Sequence, residues 1–178
     1  GSDKILNSMN RKHTVKDYLS VIKKLKKINP AIQFSSDFII GYPGENENDF
    51  NDTLKLLDEV KFINSFSFIF SPRPGTIASN QPTIDKEMSL KRLKIIQEIL
   101  FNNQTKINKS LENTIQNVLI ENRTDDQVKL FGRSEFMTPV LINGTDDLVG
   151  KIVKVKIIKS NRNTLFGEAI DQSKKKVA

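Results

Sequence analysis

The chain has 178 residues, no cysteine, a single histidine (His13) and a formal net charge of +7. Without cysteine it can form no disulfide, and it can ligate neither zinc nor an iron–sulfur cluster through thiolates; one histidine argues against a protein-built transition-metal site or a serine–histidine triad. No apolar run approaches the ~18 residues of a membrane helix, and the polar start Gly1-Ser2-Asp3-Lys4 lacks a signal-peptide core, so a cytoplasmic protein without membrane contact is expected. The basic excess is spread along the chain: residues 1–111 carry 17 Lys and Arg against 12 Asp and Glu, and residues 112–178 carry 11 against 9. A polyanionic partner such as RNA is therefore favoured only where cations cluster locally.

Thr14 is a good helix N-cap, with Asp17 placed to complete a capping box. Val15, Tyr18, Leu19, Ile22, Leu25 and Ile28 then recur at helical spacing, and Asn29-Pro30 stops the helix. Lys23, Lys24, Lys26 and Lys27 fall on its wet side and read as a solvated face. A strand is expected over Ile32 to Ile40, apolar on both faces near its end and suited to a sheet covered by helices. It runs into Gly41-Tyr42-Pro43-Gly44-Glu45. Asn46 caps the next helix, whose buried stripe is Phe50, Leu54, Leu57 and Val60. A second strand, 65–70, breaks into Ser71-Pro72-Arg73-Pro74-Gly75-Thr76. Helix, strand and glycine loop thus occur twice, the pattern of βα units with a parallel sheet. After a polar linker, Ile77 to Ile84, a long helix begins near Asp85.

Helical periodicity is lost near Glu112. Strands are expected at 115–122, 128–133, 138–143, 151–159 and 164–170, separated by turn-forming clusters. Five short strands in this space predict a small antiparallel barrel of oligonucleotide-binding type. The boundaries so read are 1–111 for the α/β part, 112–172 for the barrel and 173–178 for a basic, disordered tail.

The strand 151–159 carries the clearest electrostatic signal. Val153, Val155 and Ile157 point one way and Lys154 and Lys156 the other. Lys151, Lys159 and Arg162 extend the cluster, and no acidic residue falls between Asp147 and Glu168. Such a strand can track a phosphate backbone, or it can simply discourage edge-to-edge aggregation. Phe131, Phe136 and Phe166 are either core residues or base-stacking platforms. In the α/β part, Gly41 and Gly44 allow close backbone approach to a ligand, although a Gly-Pro-Gly turn after a strand is often only a turn. Arg73, held between two prolines, suits a carboxylate or phosphate. Asp37, read as lying late in an apolar strand, needs polar partners if buried. No pair of residues resembles a nucleophile and its base.

In order, the segments Gly1–Leu6, Met9–Thr14, Ser35–Glu45 and Phe68–Thr76 resemble the C-terminal part of the radical S-adenosylmethionine tRNA methylthiotransferases. Leu130-Phe131-Gly132-Arg133-Ser134-Glu135 is similar to that family's terminal TRAM domain, an RNA-binding module. The resemblance implies the final βα units of a partial TIM-type, radical-SAM barrel followed by a small five-stranded OB-like β-barrel. It implies tRNA as partner and S-adenosylmethionine as cofactor, with Ser36, Asp37, Gly41, Tyr42, Pro43, Gly44 and Arg73 lining part of the cofactor pocket. It places Arg123, Arg133, Lys151, Lys154, Lys156, Lys159 and Arg162 against RNA. The family's [4Fe–4S] clusters sit on cysteines that this chain does not have. The chain is thus expected to be inactive alone: a fragment or truncated member, a stand-alone RNA-binding module, a decayed gene product, or half of a split enzyme whose cysteines come from a separate chain. With two parallel strands and an unpaired sheet edge, the α/β part is expected to be poorly stable by itself.

Overall fold

Two capping boxes fix the helices that lead into and out of the first strand. In the computed structural model, which describes residues 1–170, Thr14 and Asp17 exchange side-chain and backbone hydrogen bonds at the start of α2 (Val15–Ile28), and Asn46 and Asp49 do the same at α3 (Glu47–Val60). Each box satisfies backbone N–H groups that a helix start otherwise leaves bare. The chain divides into two compact units, Gly1–Asn103 and Gln104–Ala178. The expected tail, 173–178, lies outside the described residues.

In the first unit, β1 (Asp37–Ile40) pairs in parallel with β2 (Phe66–Ile69) in a two-stranded sheet. One face of β1 carries Phe38 and Ile40 into a core shared with Ile22, Phe50, Leu57, Val60, Phe62, Ile96 and Leu100. The other face leaves Ile39, Phe66 and Phe68 exposed. The strand expected from Ile32 is shorter than its apolar pattern: residues 32–36 have no ladder partner, and contact with the neighbouring segment reduces to bonds such as Ile63 N–H to the Phe34 carbonyl at 2.9 Å. Asp37 is therefore the first residue of the strand, not a late one, and it is exposed.

A short helix, α1 (Asp3–Ser8), precedes α2 and has no counterpart in the periodicity. It is held from a distance. Ser2 Oγ donates to Asp49 Oδ1 at 2.6 Å, and Lys4 Nζ donates to Asp49 Oδ2 at 2.8 Å and to the Gly44 carbonyl at 2.7 Å. Burial pushes the Asp49 carboxyl upward, but the bonds from Lys4, Ser2 and the Asn46 backbone outweigh it and hold the group below the usual carboxylate value. The long helix α4 (Lys86–Ser110) starts in this unit, with Asp85 Oδ2 accepting from Met88 N–H at 2.9 Å.

The second unit is a closed barrel of β3 (Ile115–Arg123), β4 (Leu130–Ser134), β5 (Pro139–Ile142), β6 (Ile152–Ser160) and β7 (Leu165–Ala169), in the order β3-β4-β5-β7-β6. Strict alternation places Val118, Ile120, Leu130, Val140, Ile142, Val155, Ile157 and Leu165 inside. The barrel is mixed, which corrects the antiparallel expectation: β5 and β7 run parallel. A closed ring with an odd number of strands cannot alternate direction throughout, so at least one neighbouring pair must be parallel. Asn108, fully buried, donates through Nδ2 to the carbonyls of Asn161 and Arg162 at 2.9 Å each and so fixes the β6–β7 turn.

Candidate functional site

The seven cations expected to meet RNA have different surroundings. Lys154 and Lys156 stand outward on β6, as the alternation predicts, with Val155 and Ile157 buried between and beyond them. Across the ladders Lys154 faces Asn117, while Lys156 faces Ile115 on one side and Glu168 on the other. Lys159 follows a bulge and lies opposite Phe166. Arg162 sits exposed in the β6–β7 turn, its Nε donating to Asn163 Oδ1 at 3.2 Å. Lys151 is 3.8 Å from Asp147 with both side chains mostly in water, a pair that contributes little and leaves the lysine available.

The two barrel arginines are more engaged. Arg133 pairs with Glu121 at 3.3 Å and lies over the Phe131 ring, 5.4 Å from its centroid. Arg123 donates to Asp146 Oδ1 through Nε at 2.7 Å and Nη2 at 2.6 Å, and to the carbonyls of Gln127 and Gly144 at 3.3 Å. These bonds join two loops and engage the guanidinium within the barrel, unlike the outward lysines of β6.

The residues expected around S-adenosylmethionine are not brought together. Ser36 and Asp37 lie at the amino end of β1, and Gly41 to Gly44 follow its carboxyl end, about 10 Å away along a four-residue strand. Ser36 and Asp37 line a cleft of about 360 Å³ beside β1, shared with Ile5, Arg11, His13 and Tyr18; Gly41 to Gly44 and Arg73 do not line it. The loop itself is committed inward. Gly41 (φ +73°) is buried, its N–H donates to Glu45 Oε2 at 3.1 Å, and a Cβ there would meet Ser89 Oγ at 2.5 Å. Tyr42 and Pro43 are buried, with the Tyr42 hydroxyl donating to the Ser8 carbonyl at 3.0 Å. Gly44 and Arg73, in the loops after β1 and β2, are exposed, as is Asp37 at the other end of β1.

Arg92, which sequence reasoning missed, holds this loop from α4. Its Nη1 donates to Glu45 Oε1 at 2.6 Å and its Nη2 to Glu47 Oε2 at 3.0 Å. No local pattern marks a pair 47 residues apart. Lys129, also missed, lies 5.5 Å from the Phe166 ring centroid.

Comparison with known proteins places these units. Residues 1–57 match the Radical SAM superfamily and residues 109–170 match the TRAM domain. The chain therefore combines part of a radical SAM domain with a TRAM barrel. It is 62% identical over all 178 residues to the tRNA-2-methylthio-N(6)-dimethylallyladenosine synthase of Pelagibacter ubique (strain HTCC1062), covering 40% of that protein. The synthases of Ruthia magnifica and Vesicomyosocius okutanii are 47% and 49% identical over 96% and 97% of the chain, which covers 38% and 39% of them. The chain is similar over nearly its whole length to the C-terminal part of these synthases, and it spans about two-fifths of the length of these relatives.

An iron–sulfur cluster, which that family implies, does not fit the residues present. The chain has no cysteine, and among the described residues no group of three His, Asp or Glu could hold a metal ion. Among the same residues no helix is long and apolar enough to cross a membrane.

Proposed function

We propose that this chain is the RNA-holding portion of a tRNA methylthiotransferase of the cytosol, acting on an N(6)-modified adenosine beside the anticodon. The TRAM barrel binds tRNA, with Lys151, Lys154, Lys156, Lys159 and Arg162 along β6 and its turn tracking phosphates and Arg133 beside them. The observation that carries this reading is the outward row of β6 lysines on a closed barrel of oligonucleotide-binding topology. Toward S-adenosylmethionine the first unit offers a partial wall, chiefly the exposed Arg73 and Gly44. Ser36 and Asp37 meet the cofactor only if it extends along the β1 edge. Cysteine thiolates for the clusters must come from outside these 178 residues, which contain none. Methylthiolation by this chain alone is accordingly not expected.

Anisotropy titrations of labelled tRNA at several salt concentrations test the RNA reading. The wild-type chain should bind, with affinity falling as salt rises. Lys154→Gln and Lys156→Gln should each lower the slope of log affinity against log salt by about 0.7–0.9, the amount expected for one lost phosphate contact. Binding that ignores salt, or variants with the wild-type slope, would remove these lysines from the interface.

A further inference from the structure

The outer face of the barrel carries a second feature. Phe131 on β4 pairs with Leu141 on β5, Leu141 pairs with Phe166 on β7, and Phe166 pairs with Lys159 on β6. Their neighbours Leu130, Val140, Ile142 and Leu165 fill the interior, so alternation sends these three apolar side chains outward. None of the three packs against the interior cluster, and all are half-exposed. Cations border the row: Arg133 lies over the Phe131 ring, Lys129 over the Phe166 ring, and Lys159 closes the end. Glu121 offsets Arg133, and Glu168 lines the shallow hollow beside Phe166.

We propose that this row is a stacking platform for unpaired RNA bases, one base on Phe131 with Arg133 and one on Phe166 with Lys129. The proposal rests on the RNA reading above and assigns bases to the outer side of β4, β5 and β7, beside the β6 lysines that meet phosphates. Aromatic rings and guanidinium planes are the surfaces on which splayed bases stack. The two rings stand two strands apart, about 10 Å, with Leu141 as an apolar floor between them. The bordering cations complement the phosphates of a strand so placed. Because β7 is the neighbour of β6, one single strand can stack on the rings and continue along Lys156 and Lys154.

The test uses the full chain with a labelled single-stranded dodecaribonucleotide and a blunt RNA duplex of the same length. Phe131→Leu and Phe166→Leu keep an apolar side chain and lose the ring. Each should weaken single-strand binding about tenfold, without changing its salt slope, and leave duplex binding nearly unaltered. Unchanged single-strand affinity in variants that melt like wild type overturns the platform, while wild-type binding still upholds the RNA reading. Failure of the wild type to bind either RNA overturns that reading, and the platform with it. Should a variant not fold, ultraviolet crosslinking of the wild type to the single strand decides: crosslinks at Phe131 or Phe166 support the platform, and crosslinks confined to other peptides refute it.

Discussion

Arg92→Ala should destabilise the first unit by about 3–5 kcal/mol, the loss typical when one partner of a buried ion pair is removed. The side chains of Arg92 and Glu45 are only 7% and 6% exposed, and their contact is 2.6 Å. Removing the guanidinium leaves the Glu45 carboxylate buried without its cation, still accepting from the Gly41 amide at 3.1 Å. It also removes the cation lying 5.1 Å from the Phe50 ring centroid. The second partner behaves differently. Glu47 is 68% exposed, so Glu47→Ala should cost less than about 1 kcal/mol. Replacing both members of the buried pair, as in Arg92→Met with Glu45→Gln, should cost less than the sum of the single changes. Urea denaturation followed by helical circular dichroism reads these differences. An Arg92→Ala loss under about 1 kcal/mol would mean that the loop does not depend on this pair.

Gly132→Ala should destabilise the barrel by about 3 kcal/mol, the upper part of the range for overpacked cores. A Cβ at Gly132 would stand 2.4 Å from the Leu119 carbonyl oxygen and 2.8 Å from Val118 Cγ1. The oxygen belongs to the neighbouring strand, so relief requires β3 and β4 to separate. Phe131 and Arg133 flank this glycine on the outer face, and the same separation displaces them. RNA affinity should therefore fall together with the barrel's melting temperature. A variant that melts like wild type would show that the strands can part without penalty.

Local chemistry was legible and distant pairing was not. Thr14 with Asp17 and Asn46 with Asp49 act across three residues, so their capping boxes could be read directly. The two-residue period of β6 likewise placed Lys154 and Lys156 outside and Val155 and Ile157 inside. The helix α1 escaped because it has six residues and is anchored by Ser2 and Lys4 to Asp49, more than forty positions away. Arg92 and Glu45 escaped for the same reason. Arg123 had the composition of an RNA contact, yet its guanidinium goes to Asp146 and two loop carbonyls, partners set by barrel closure. Ser36 and Asp37 are adjacent in sequence to the glycine loop but lie at the other end of the strand, because four extended residues carry the chain about 10 Å. Phe131, Leu141 and Phe166 form a row only once β7 is inserted between β5 and β6.

Hydrogen–deuterium exchange of the full chain with and without tRNA tests most directly whether the barrel is what holds RNA. Protection should appear in peptides from β6, from its neighbour β7 and from β4 across the barrel face, and not in α2, whose lysines Lys23, Lys24, Lys26 and Lys27 are exposed in water. Protection confined to α2, or none in the barrel at saturating tRNA, would contradict the account.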